Sequence, residues 1–160
     1  MKKVLLLPLP VFLLAACSVT PAQAPFKAGD VFEMTGTTTD KKAVAHTYTL
    51  RNDGQWDSQD DEWNYLANGT SSRSASLKIN REQDILYTTD TQENDDLDKQ
   101  IYTACFAQTD GPGWRTAEGF LVQGNLQAFR DFTKRMAGVP EGQLFKTFRS
   151  LSGECVITRK

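Results

Sequence analysis

Between Val31 and Phe106 the chain alternates apolar and polar positions, the period of half-buried β-strands. Phe32 and Met34 alternate with Glu33 and Thr35 in the first run. Val44, His46, Tyr48 and Leu50 share one face of a second, and Asn52-Asp53-Gly54 then suits a tight hairpin returning through Trp56. Trp63, Tyr65 and Ala67 alternate up to Asn68-Gly69, Ala75, Leu77 and Ile79 lie on one face of the next strand, and Ile85 and Tyr87 continue on the one after. Glu93 to Asp98 is too polar to pack. From Ile101 to Phe106 both faces are apolar, which predicts a central strand covered on both sides. Asp110-Gly111-Pro112-Gly113 ends it.

The period then changes from two to nearly four. Asn125 is a good N-cap, Leu126, Phe129, Phe132 and Met136 follow at helical spacing, Lys134 and Arg135 suit the last turn, and Gly138 and Pro140 stop the run. Leu144, Phe145, Phe148 and Leu151 repeat the helical period before Gly153, and Cys155-Val156-Ile157 reads as a last strand. The expected class is α+β and mostly β: an antiparallel sheet or partly closed barrel of about seven strands, with one or two C-terminal helices.

The first seventeen residues follow a different logic. Lys2 and Lys3 precede an apolar run from Val4 to Leu14, and small residues lead to Cys17, the three zones of a secretory signal. The run is shorter than the roughly 20 residues a membrane-spanning helix needs, and Pro8 and Pro10 would break it. Leu14-Ala15-Ala16-Cys17 resembles the lipobox of bacterial lipoproteins. The resemblance implies cleavage before Cys17, a diacylglyceryl thioether on its sulfur and a further acyl chain, such as palmitate, on its amine. Two or more chains hold a protein stably on a membrane. Ser18 stands where an inner-membrane retention signal would put Asp, which points to an outer-membrane destination. The expected organisation is a signal peptide at 1–17, a Pro- and Ala-containing tether at 18–29 and one domain at 30–160.

Composition supports a folded domain, with 39% hydrophobic and 24% charged residues. Beyond the leader, 16 basic residues face 20 acidic ones, a net charge of −4. The acidic excess lies in residues 18–98, at −8, against +4 for residues 99–160. An acidic, strand-rich half without a basic stripe argues against nucleic acid as a partner. Cys105 and Cys155 remain once the anchor cysteine is set aside, and an even pair in an exported domain is a candidate disulfide.

Candidate chemistry is sparse. His46 is the single histidine, its strand neighbours are apolar, and it reads as structural, at the edge of the core. Asp90, Gln92, Asn94 and Asp96 alternate oxygen ligands, yet Asp95 stands where a calcium loop turns on Gly and Ile101 where it places a bidentate Glu. Asp57, Asp60, Asp61 and Glu62 supply carboxylates without a defined separation. Trp56, Trp63, Tyr65 and Trp114 sit in or beside Gly-, Asp- and Asn-rich turns, where rings contact a ligand or partner if exposed and cap the sheet ends if buried. The strand-rich domain resembles lipocalins in outline, although their opening Gly-x-Trp has no counterpart at Gly29-Asp30-Val31. No catalytic set, cofactor or metal site is assigned. The reading is a lipid-anchored cell-envelope protein with a non-catalytic binding domain for a small ligand or envelope partner. A structural or assembly scaffold is the alternative, and a carboxylate-based hydrolase comes behind both.

Overall fold

The computed structural model describes residues 23–68 and 74–160, so the leader and Cys17 lie outside the described residues. Nine strands follow in chain order: β1 (Val31–Thr37), β2 (Ala43–Leu50), β3 (Gln55–Asp57), β4 (Glu62–Asn68), β5 (Ser74–Asn80), β6 (Ile85–Gln92), β7 (Ile101–Gln108), β8 (Thr116–Gly124) and β9 (Gly153–Arg159). Helices α1 (Leu126–Ala137) and α2 (Leu144–Phe148) connect β8 to β9. All pairings are antiparallel, in the order β2-β1-β9-β8-β7-β6-β5-β4-β3. Thr49 opposite Asn68 and Leu50 opposite Ala67 join β2 to β4 and close eight strands into a barrel, with β3 outside the ring. The class is α+β and mostly β, as expected, with the barrel fully closed and two more strands than the seven or so expected.

The expected hairpin at Asp53-Gly54 does not form. β3 folds back on β4, pairing Trp56 with Trp63, rather than on β2. Gly54 serves a different purpose: a Cβ there would lie 2.5 Å from the Tyr65 hydroxyl, so only glycine lets the chain pass over that ring. Asn52 Oδ1 meanwhile accepts from the Leu66 N–H at 2.7 Å, tying the end of β2 to β4.

Alternation places one side chain in two inside the barrel. Phe32, Met34, Tyr48, Tyr65, Leu77, Ile79, Leu86 and Ile157 are all buried, so the interior is packed rather than hollow. A second core lies outside the barrel wall. There Ala104, Phe106 and Phe120 of β7 and β8 meet Phe132 of α1 and Phe148 of α2. The Phe132 and Phe148 rings stand 4.9 Å apart, and those of Phe106 and Phe120 5.1 Å. Each such phenylalanine contributes roughly 1.5–3 kcal/mol by leaving water. That outer core is why both faces of β7 are apolar.

Cys105 and Cys155 are joined, with Sγ atoms 2.09 Å apart, and both are buried. The strands they occupy are not neighbours, because β8 lies between β7 and β9. Two strands flanking a third should be separated by roughly 9 Å, yet these Cα atoms are 6.1 Å apart. The wall therefore folds sharply at β8. Gly119 makes the fold possible: a Cβ there would meet the Phe106 carbonyl oxygen at 1.7 Å.

One end of the barrel is plugged. Phe26, 4% exposed, packs 4.9 Å from Phe32, 5.5 Å from Tyr65 and 6.1 Å from Trp114, ring centre to ring centre, and Arg159 lies over it at 5.0 Å. The Phe26 N–H donates to the Tyr65 hydroxyl at 3.2 Å. Packing thus begins before Asp30, inside the segment expected to be tether, because an aromatic residue there finds an apolar barrel end to fill.

Candidate functional site

The opposite end of the barrel is built from polar side chains. Asp90, Thr103 and Gln123 stand opposite one another on β6, β7 and β8, forming a lateral row on the inner wall. Asp90 is 2% exposed and Thr103 3%, whereas Gln123 reaches solvent. The Gln123 side-chain amide donates to Thr103 Oγ1 at 3.0 Å. His46 projects from β2, far round the ring from β6, and its Nδ1 approaches Asp90 Oδ2 to 3.2 Å across the interior. That contact has the distance of an ion pair without the direction of a hydrogen bond. The His46 ring is held against Tyr48, stacked at 6.2 Å and 16°.

These side chains line a cup of about 300 Å³, with Val44 and Ile101 as its apolar walls and Gln92 at the rim. Lys42, also at the rim, is occupied by Asp40 at 2.7 Å. Through Gln92, Ile101 and Gln123 the cup adjoins a groove of about 540 Å³ that runs to Ala128 and Phe132 of α1.

Below the row lie two buried hydroxyls, Tyr48 Oη and Thr88 Oγ1, which interact with each other outside good hydrogen-bond geometry. Burial pushes the Tyr48 phenol well above its ordinary range; the nearby Thr88 hydroxyl tempers the rise and the Asp90 charge adds to it. At the plugged end Tyr65 is pushed up to about 12, first by burial, with the Phe26 N–H opposing and the Asp30 and Asp53 charges adding. A buried polar group without a partner costs stability. The plugged end also holds buried polar atoms, the Tyr65 hydroxyl and Trp114 Nε1, but its carboxylate-free floor is aromatic, whereas Asp90, Thr103 and Thr88 lie at and beneath the other end.

The aromatic candidates do not share a surface. Tyr65 and Trp114 are core, part of the plug and its surroundings. Trp56 and Trp63 are half-buried on the β3–β4 pair, 5.1 Å apart, with the Arg81 guanidinium 5.1 Å above Trp56. Nor do the carboxylates of 57–62 form a reacting pair. Asp57 Oδ1 accepts from the Gln59 and Asp60 N–H groups, Asp61 pairs with Arg81 at 2.6 Å, and Glu62 is held by Lys78 and by the Tyr87 hydroxyl at 2.8 Å. Asp90 is separated from the loop of Asn94 and Asp96 by its place inside the barrel. Cys17 lies outside the described residues.

Thr103 and Gln123 were not singled out by sequence reasoning, and Asp90 was weighed only as one oxygen of a calcium loop. The available signal was the alternation Leu86, Thr88, Asp90 on β6, in which a charged residue occupies a position of the inward set.

No family model, curated protein or solved structure matches the chain. Its function is therefore argued from the barrel itself.

Proposed function

We propose that this is a lipid-anchored cell-envelope protein whose barrel binds a small ligand at its polar end and catalyses no reaction on it. The observation that carries the reading is the contrast between the two ends. One is sealed by Phe26, Tyr65 and Trp114, and the other holds a cup walled by His46, Asp90 and Thr103. Eight-stranded antiparallel barrels that hold one small ligand are a recurrent architecture, lipocalins among them. The packed interior of this one restricts binding to the mouth. Among the described residues the exposed large apolar side chains are Leu66 on β4, Leu97 between β6 and β7 and Leu151 between α2 and β9, on three different segments, which favours ligand binding over a scaffold with an apolar docking patch.

The lipobox-like Leu14-Ala15-Ala16-Cys17 supplies the anchor in this reading. Phe26 lies nine positions after Cys17, a reach of at most about 30 Å. Because Phe26 docks at the plugged end, the mouth is directed away from the attachment point.

Native mass spectrometry of the protein extracted gently from the envelope tests the binding claim. A bound species of defined mass that disappears when Ile101→Trp fills the mouth supports it, and a bare chain under all extraction conditions refutes it. Cys17→Ala tests the anchor: unchanged membrane fractionation and unchanged mature mass would end that part of the proposal.

A further inference from the structure

We infer that the open edge of β2 takes one extended segment of a partner protein, laid antiparallel along Ala43 to Thr47 with an acidic end at Lys41. This goes beyond small-ligand binding at the mouth and does not depend on it. Backbone groups, room and charge carry it together.

At the barrel seam β2 meets β4 only at Thr49 and Leu50, so among the described residues no strand covers Ala43 to Tyr48 on the side away from β1. Antiparallel pairing turns the N–H and C=O groups of alternate residues to opposite sides. The Thr38 N–H donates to the Lys42 carbonyl and the Leu50 N–H to the Asp30 carbonyl, both at 2.9 Å, so the even-numbered residues of β2 face β1. The Arg51 N–H donates to the Leu66 carbonyl at 2.8 Å, on the other side. Ala43, Ala45 and Thr47 therefore present their backbone donors and acceptors to the open edge. Native edges are ordinarily guarded by charge, proline or a bulge. Ala43 to Leu50 holds no Asp, Glu, Lys, Arg or Pro, and its register with β1 runs without a bulge.

Room and charge choose the occupant. Backbone donors and acceptors repeating every second residue are matched by another extended backbone. The wall that leaves Ala43 to Thr47 open closes on β2 at Thr49 and Leu50, so the gap suits a single strand, whereas a second copy would bring its whole barrel into that width. An antiparallel segment runs toward the β1–β2 turn and ends there. At that turn Asp40 is paired with Lys42 at 2.7 Å, while Lys41 has no ion pair among the described residues. The turn thus keeps one positive charge in excess, which suits a carboxylate at the end of the segment. β3, the strand outside the ring, also has an edge, but at three residues it is too short to hold a partner.

The test is NMR of the mature protein, as cells produce it, titrated with a short peptide that alternates threonine and valine and ends in aspartate. In the protein alone the amide hydrogens of Ala43, Ala45 and Thr47 should exchange fast and those of Val44 and His46 slowly. Equal protection overturns the inference, because the edge would already be covered. The peptide should bind and slow the first set. With its internal amides N-methylated it should bind about tenfold more weakly or worse. Ala45→Pro removes an edge donor that β1 does not use, and should weaken the unmethylated peptide as much. Lys41→Asn, at a left-handed position (φ 65°) that Asn tolerates, should weaken it about threefold. The methylated peptide needs no variant, so it decides the matter if Ala45→Pro does not fold. No binding, or binding indifferent to methylation, overturns the inference. Binding indifferent to Lys41→Asn overturns the placement of the acidic end. A dimer in sedimentation that Ala45→Pro dissociates overturns the lone segment in favour of a second copy. A bare chain in mass spectrometry bears on the small ligand alone.

Discussion

Replacing Cys105 and Cys155 together by alanine opens a covalent loop whose ends are 50 residues apart in sequence. In the chain-entropy model, closing such a loop restricts the unfolded state by about 4 kcal/mol. Loss of two buried sulfur atoms from the packed interior adds about 1 kcal/mol each. The structure gives the bridge unusual reach, because it links β7 to β9 over β8 and fixes the sharp fold at Gly119. Unfolding entropy near 2.1 cal/mol/K per residue gives roughly 0.3 kcal/mol/K for a domain of this size. The entropic part alone then corresponds to a fall in Tm of about 14 °C. Circular dichroism melts of the protein and the double variant, at one concentration and scan rate, measure it. A fall below about 5 °C would refute the reasoning, since native-state packing would then hold the fold at β8 without the cross-link.

Three further outcomes follow from named contacts. Gly119→Ala should destabilise by roughly 3 kcal/mol or more, or prevent folding, because its Cβ would overlap the Phe106 carbonyl oxygen; a denaturant midpoint within error of the parent would sink this account of the fold. Asn125→Ala should cost about 1 kcal/mol in the same assay, because the Asn125 side chain accepts from the Ala128 N–H at 2.9 Å and caps α1. Above pH 10 stability should decline. Tyr48, Tyr65 and Tyr87 keep their phenolic protons in the fold beyond the ordinary value, so the unfolded chain releases protons first. Nothing is lost below pH 10. For Tyr65 the loss accumulates between 10 and about 12, at up to about 1.4 kcal/mol per pH unit. Absorbance at 295 nm that showed these phenols ionised in the folded protein at pH 10 would contradict it.

Strands with one face in the core and the other in water were legible from the sequence. Ala75, Leu77 and Ile79 of β5 alternate with Ser76 and Lys78, and the structure buries the first set. Helix α1 was equally plain, since Asn125 and Gly138 mark its ends. β8 was missed because both of its faces are covered. Ala117 and Leu121 point into the barrel while Phe120 and Val122 pack toward the helices, so no period of two survives, and Gly119 weakens the pattern further. The same outer core disguised β6. Tyr87, stacked on Phe106 outside the barrel, supplies the apolar signal, while the inward set Leu86, Thr88 and Asp90 becomes polar toward the mouth. Cys105 and Cys155 were recognisable as a pair by count and compartment. The strand between them was not, because spacing along a chain does not reveal order across a sheet.

Polar groups inside a packed barrel imply a purpose other than stability, and Thr88 isolates that trade. Its hydroxyl is buried on β6 between the Asp90 row and the apolar interior, without a partner in hydrogen-bond geometry. An unsatisfied buried hydroxyl costs about 1–3 kcal/mol. Valine has nearly the same shape, so Thr88→Val should raise the urea midpoint, with a gain of only about 1 kcal/mol because the Tyr48 hydroxyl loses the Thr88 hydroxyl beside it. Unchanged or lower stability would mean that Thr88 already has a partner, and the cost assigned to this layer would vanish. If stability rises while ligand binding at the mouth weakens, the hydroxyl layer under Asp90 is kept for the ligand. A rise with binding unchanged would confine the site to the row of Asp90, Thr103 and Gln123 and to His46 facing it.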